Sequence, residues 1–153
     1  MEEILKKIFE SDKFIPNFKC DNNVEKILKE TLRIKNVPQD ILYFYAQCNG
    51  IIVYGLSDIF SIEELQKEYE NFDEFIKAMG LEEDMKKYNF VPIANDGMGG
   101  YYVFISNEPS DKIYYLDAEF PEELEECMVY ENFKQYLEEL YEDQIKYYED
   151  NEE

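Results

Sequence analysis

The chain has 153 residues, 45% of them hydrophobic, with 36 acidic and 15 basic side chains and a net charge of −21. That apolar content excludes a disordered acidic tail, and the charge argues against direct contact with nucleic acid or anionic lipid, which repel it. The absence of His removes the commonest general base and metal ligand, together with every Ser–His–Asp or Cys–His arrangement.

The length suits one domain. No stretch approaches the roughly 20 apolar residues of a membrane span, and MEEILKKIFE lacks the apolar region of a signal peptide, so a cytoplasmic location is expected. Cys20, Cys48 and Cys127 are odd in number and widely spaced, without a CxxC pair. Neither a disulfide framework nor a zinc site is expected, and no cofactor.

Ile4, Leu5, Ile8 and Phe9 predict a short amphipathic helix, and residues 14–20, with Pro16, a loop. Asn22 and Glu25 stand in capping-box spacing before a second helix that buries Val24, Ile27, Leu28 and Leu32. VPQDILYFYAQCNG, residues 37–50, is the best-punctuated stretch. Pro38 suits a first helical position, and Ile41, Phe44, Tyr45 and Cys48 share one face. Asn49 and Gly50 tolerate the left-handed turn that ends a helix. Residues 51–60, apolar and interrupted by Gly55, predict two short strands or one bent strand. Ser61 and Glu64 form another capping box, and Asn71 and Glu74 repeat the spacing ahead of a stop at Gly80. Residues 81–89 fit either a helical turn or a loop.

The second half changes character. FVPIA (90–94), YYVFIS (101–106) and KIYYL (112–116) predict an antiparallel meander with turns at NDGMGG and NEPSD. Pro92 marks an edge or irregularity, and the central strand is apolar on both faces, as when both are covered. An acidic stretch follows from Asp117, then CMVY (127–130), a short strand or connector. Asn132 and Gln135 cap a terminal helix with the stripe Phe133, Tyr136, Leu137, Leu140 and Tyr141. That stripe fits the domain's own core better than a pairing of two copies, and the tail from Lys146 is expected to fray.

The order of these landmarks resembles the SUKH superfamily, a domain shared by bacterial toxin-immunity proteins and a fungal cell-wall regulator. VPQDILYFYAQCNG matches a Pro-initiated helix ending in Asn-Gly. FVPIANDGMGG matches a Pro-containing strand with a Gly-rich turn, IYYLDAE a tyrosine-rich strand ending in Asp, and ENFKQYLEEL the closing helix. The resemblance covers about residues 22–141, the core of a single domain. Asn132 stands where Ser is common, and Ile51 where a small residue is frequent. The resemblance implies an α+β fold, mainly an antiparallel sheet flanked by helices, and a non-enzymatic role in which a cognate toxin is bound and neutralised. Its alternative is a regulatory or scaffold module without a toxin partner.

NDGMGG offers glycine N–H groups to an anion, yet lacks the Lys-Ser/Thr and helix of a P-loop. Asn95 and Asp96 lack the further oxygen ligands of a calcium loop. A hairpin turn needing positive φ at Gly97, Gly99 or Gly100 accounts for it. A hydrolase built on a carboxylate pair is the weaker reading, because no site is visible in the sequence. The candidate partner-binding residues are the acidic run Asp117, Glu119, Glu122, Glu123, Glu125 and Glu126, with Asp58 and Asp96 if their turns share a rim. Tyr54, Tyr101 or Tyr114 would serve as anchors. The expected partner is a toxin with a basic surface, a nuclease by expectation, meeting a monomer or homodimer of this chain.

Overall fold

A computed structural model describes residues 1–20, 23–53, 58–78, 87–117 and 124–151. The elements are α1 (Glu2–Glu10), β1 (Ile15–Pro16), α2 (Val24–Lys26), α3 (Gln39–Gln47), β2 (Ile51–Ile52) and α4 (Ile62–Ala78). The meander β3 (Phe90–Asn95), β4 (Tyr101–Ile105) and β5 (Ile113–Leu116) follows, then β6 (Val129–Tyr130) and α5 (Phe133–Asp150). This is an α+β fold whose four-stranded antiparallel sheet has the order β3-β4-β5-β6.

Alternation along the strands gives the sheet two apolar faces. Val91, Ile93, Phe104, Ile113 and Tyr130 join Phe44 of α3 and Phe133 and Leu137 of α5 in one core. Phe90, Val103, Ile105, Tyr114 and Leu116 pack on Phe72 of α4 and on Leu124 and Cys127. Helices therefore cover both faces, as the apolar pattern of β4 requires.

Short backbone pairings extend this sheet toward the N-terminus. β1 pairs with β2, Ile15 opposite Ile52. Ile59 exchanges both backbone hydrogen bonds with Ile51, at 2.9 and 3.0 Å, and sits opposite Ala94. Phe60 N–H to Ile93 C=O and Asn95 N–H to Asp58 C=O flank that second contact. Residues 58–60 thus join the β1–β2 ribbon to β3.

Several expectations are corrected. Residues 14–20 hold β1 rather than only a loop, because Asn17 N–H and C=O bond to Gly50 C=O and Asn49 N–H. Pro38 is the residue before α3 rather than its first, with ψ at 138°. α4 runs unbroken past Asn71, whose side-chain amide donates back to the Lys67 carbonyl instead of capping a new helix. α5 continues to Asp150 rather than fraying from Lys146. Its last turns are pinned where Phe14 stacks on Tyr141, Lys13 lies over the Tyr148 ring and Gln144 Nε2 donates to the Lys13 carbonyl. After α2 the chain widens into a π-turn over Ile27–Thr31. Asn22 and Gly80 lie outside the described residues, so the cap and the stop expected there do too.

Other signals match the structure. Ser61 and Glu64 exchange both hydrogen bonds of a capping box, and Asn132 caps α5 through the Gln135 N–H. The pairing of β3 with β4 shifts register between Pro92 and Ala94. Phe133, Tyr136, Leu137 and Leu140 are buried within the domain. Cys48 is a core residue, its thiol pushed up to about 12 by burial and by nearby Cys20.

Candidate functional site

The turn between β3 and β4 is the best-braced polar feature of the surface. Asp96 Oδ1 accepts the N–H groups of Met98 at 2.7 Å and Gly100 at 2.8 Å, and Asn95 Oδ1 accepts that of Gly97. Asp96 Oδ2 accepts the Tyr115 hydroxyl. Gly97 and Gly99 have φ of 75° and 95°, the left-handed region that favours glycine. Gly100 is glycine for a different reason: a Cβ there would lie 2.5 Å from the Tyr115 hydroxyl. Met98 stands at the tip, 88% exposed.

Cross-strand register assembles tyrosines beneath this turn. Tyr102 of β4 lies opposite Tyr115 of β5, their ring centroids 5.0 Å apart. Tyr102 also packs at 4.7 Å on Tyr136 of α5, and Tyr130 of β6 at 5.5 Å on the same ring. α5 adds exposed Glu139 and Asp143 one turn apart, and Glu139 acts on the Tyr130 hydroxyl.

Several groups of this surface are shifted by their surroundings. Burial alone would raise the Asp96 carboxyl, but the hydrogen bonds from Tyr115, Met98 and Gly100 outweigh it and hold the group below the usual range. Burial and then the charges of Asp96, Glu139 and Asp143 push the Tyr102 hydroxyl up to about 12. Tyr115 is raised by burial and by its bond to Asp96, Tyr130 by burial and by Glu139. Asp143 is raised by burial and by neighbouring Glu139 and Glu142. The surface thus pairs protonated hydroxyls with carboxylates over a half-buried aromatic floor, and such a surface suits guanidinium and ammonium groups.

The structure places the residues singled out in the sequence unevenly. Asp58 and Asp96 are close, tied through the Asn95 N–H to Asp58 carbonyl bond of 3.1 Å, and Asp58 Oδ1 also accepts the Val53 N–H. Asp117 follows the last residue of β5 and its charge reaches Tyr115. Burial and then the charges of Glu126, Asp117 and Glu125 push the Cys127 thiol up to about 11, and Glu125 also acts on Tyr114. Tyr114 and Tyr115 point to opposite faces of β5, and Asp117, just past the end of that strand, acts on groups of both faces. Tyr54, Glu119, Glu122 and Glu123 lie outside the described residues. Tyr101 gives its hydroxyl to Glu68 and its ring to Phe72 and Phe75, and Tyr114 is buried.

Tyr102, Tyr115, Glu139 and Asp143 were not among the sequence candidates. The paired YY dipeptides of β4 and β5 carried the available signal, because an antiparallel register stacks one tyrosine of each on the same face.

Among the described residues no group of three or more Cys, Asp or Glu is placed to hold a metal ion, and no helix is long and apolar enough to cross a membrane. No curated protein matches the chain. A family model described as SMI1 / KNR4 family (SUKH-1) matches residues 23–139. That span holds α2 through the first turns of α5, including the turn at Asp96 and its tyrosines; the chain belongs to the SMI1/KNR4 (SUKH-1) family.

Proposed function

We propose that this protein is a cytoplasmic immunity protein that neutralises a cognate bacterial toxin by stoichiometric binding and performs no catalysis of its own. Family membership is consistent with toxin immunity or a related role. The observation that carries the reading is the convergence of Asp96, Glu139 and Asp143 on the tyrosine floor of β4, β5 and α5. The net charge of −21 steers a basic protein such as a nuclease toward the molecule. Half-buried Tyr102 and Tyr115 then slow its release, since tyrosine anchors interfaces at small entropic cost.

The test is a search beside this gene for a toxin-like reading frame and co-expression with the domain it encodes, scoring growth and co-purification, followed by stopped-flow association. Rescue, a stable complex and an association rate that falls steeply with salt are expected. Asp96→Asn combined with Glu139→Gln and Asp143→Asn is expected to slow association about tenfold or more while folding is retained. A salt-independent rate would reject the steering, and turnover of a small substrate by the pure protein would reject the non-catalytic role.

A further inference from the structure

The charge of the chain is segregated. Residues 1–52 hold eight basic and eight acidic side chains, so the entire −21 belongs to residues 53–153. The neutral part builds α1, β1, α2, α3 and β2. It also presents an uncovered apolar surface. Ile15 and Ile52 face each other across the ribbon and are each 45% exposed. Phe18, 60% exposed, stands edge-on against Phe9 at 5.0 Å. Phe9 and exposed Tyr43 line one hollow together with Glu2, Lys6 and Glu10.

We propose that this face is a two-fold contact between two copies of the chain. Like charge opposes self-association through residues 53–153, whereas residues 1–52 carry no net charge; the acids of the other part that border this face are Glu63 and Glu64 of α4, which line a hollow with Ile15 and Ile52. The rim carries both signs, with Lys6 lining the same hollow as Glu2 and Glu10, so an isologous contact can pair the lysine of one copy with an acid of the other. A basic partner is drawn elsewhere, to the acidic part. Another exposed apolar pair among the described residues, Met128 and Val129 at the start of β6, has Glu125, Glu126 and Glu131 around it in sequence and no basic side chain among them. The stripe on α5 is already consumed by the core. Pro16 in β1 has no N–H to donate to a neighbouring strand, so the contact is made by side chains rather than by strand addition.

Sedimentation velocity on the purified full chain over a concentration series tests this without any toxin. A reversible dimer is expected, and it tightens as salt screens the repulsion between the two acidic parts. Ile15→Glu and Ile52→Glu each weaken it roughly tenfold or more. Met98→Glu, an exposed apolar position in the acidic part, leaves it unchanged. Phe18→Glu, at a more exposed site, decides the matter if the strand variants fail to fold. A monomer at every concentration and salt overturns the proposal. So does a dimer that survives Ile15→Glu and Phe18→Glu. The proposal is independent of the toxin reading, whose association weakens with salt instead.

Discussion

The β3–β6 sheet and the β1–β2 ribbon belong to one hydrogen-bonded surface yet live under different rules. In the sheet, both faces are covered by helices, and Val103 and Phe104 of neighbouring positions are both fully buried on opposite sides. In the ribbon, Ile51 is buried while its neighbour Ile52 is 45% exposed. The same alternation of side chains yields a two-sided core in one case and a half-open surface in the other. Helix coverage, rather than strand composition, decides which apolar residues hold the fold and which remain to meet something else.

Four measurements would break or sharpen that contrast. Phe104→Ala empties a fully buried site in the covered sheet and is expected to cost about 3–5 kcal/mol in urea unfolding; a loss below 1 kcal/mol would show that the sheet is less tightly packed than described. Gly50→Ala strikes the join between the two regions. Its φ is 91°, and an added Cβ would lie 2.7 Å from both the Ile59 carbonyl oxygen and the Ser61 nitrogen, which are backbone atoms. A cost of about 2–3 kcal/mol by the same assay is expected.

Tyr115→Phe removes the hydroxyl that helps keep Asp96 ionised. Because the folded-state pKa of Asp96 is depressed, its contribution is present above the unfolded value of about 3.9 and is lost as pH falls through the folded value. The variant is expected to be less stable than wild type near neutral pH, with the gap closing in acid; a gap constant with pH would assign the loss to packing alone. Smallest of all, Ile52→Ser on the open ribbon is expected to change monomer stability by no more than about 0.5 kcal/mol, measured by thermal melting at low concentration.

The helices and the meander were readable because their signals are local. Apolar spacing marks α1, α3 and α5, and the caps at Ser61 and Asn132 act within three residues of their targets. The misreadings arose where partners are distant or identical patterns have different fates. Asn71 has the same spacing to a Glu as Ser61, but it sits among residues already committed to α4 and bonds backward to Lys67. β1 is two residues long, includes a proline and exists only because β2 lies beside it. Asn49 was read as a helix stop. In the structure its buried side chain accepts the Ile62 N–H at 2.7 Å, so it starts α4 from 13 positions away. Of the acid–tyrosine surface the sequence offered Asp96, singled out with Asp58 on the condition that their turns share a rim, while the contribution of α5 depends on packing that no local pattern encodes.

The three residues 58–60 have a mechanical consequence. Asp58 and Asn95 share a backbone hydrogen bond inside this seam, one position from Asp96, and Ile59 clasps the ribbon on its other side. A load applied at either surface therefore passes to the other through main-chain hydrogen bonds rather than through side chains. Two molecules gripping the protein on its neutral and acidic flanks would be held at a fixed spacing, as by a rigid spacer bar.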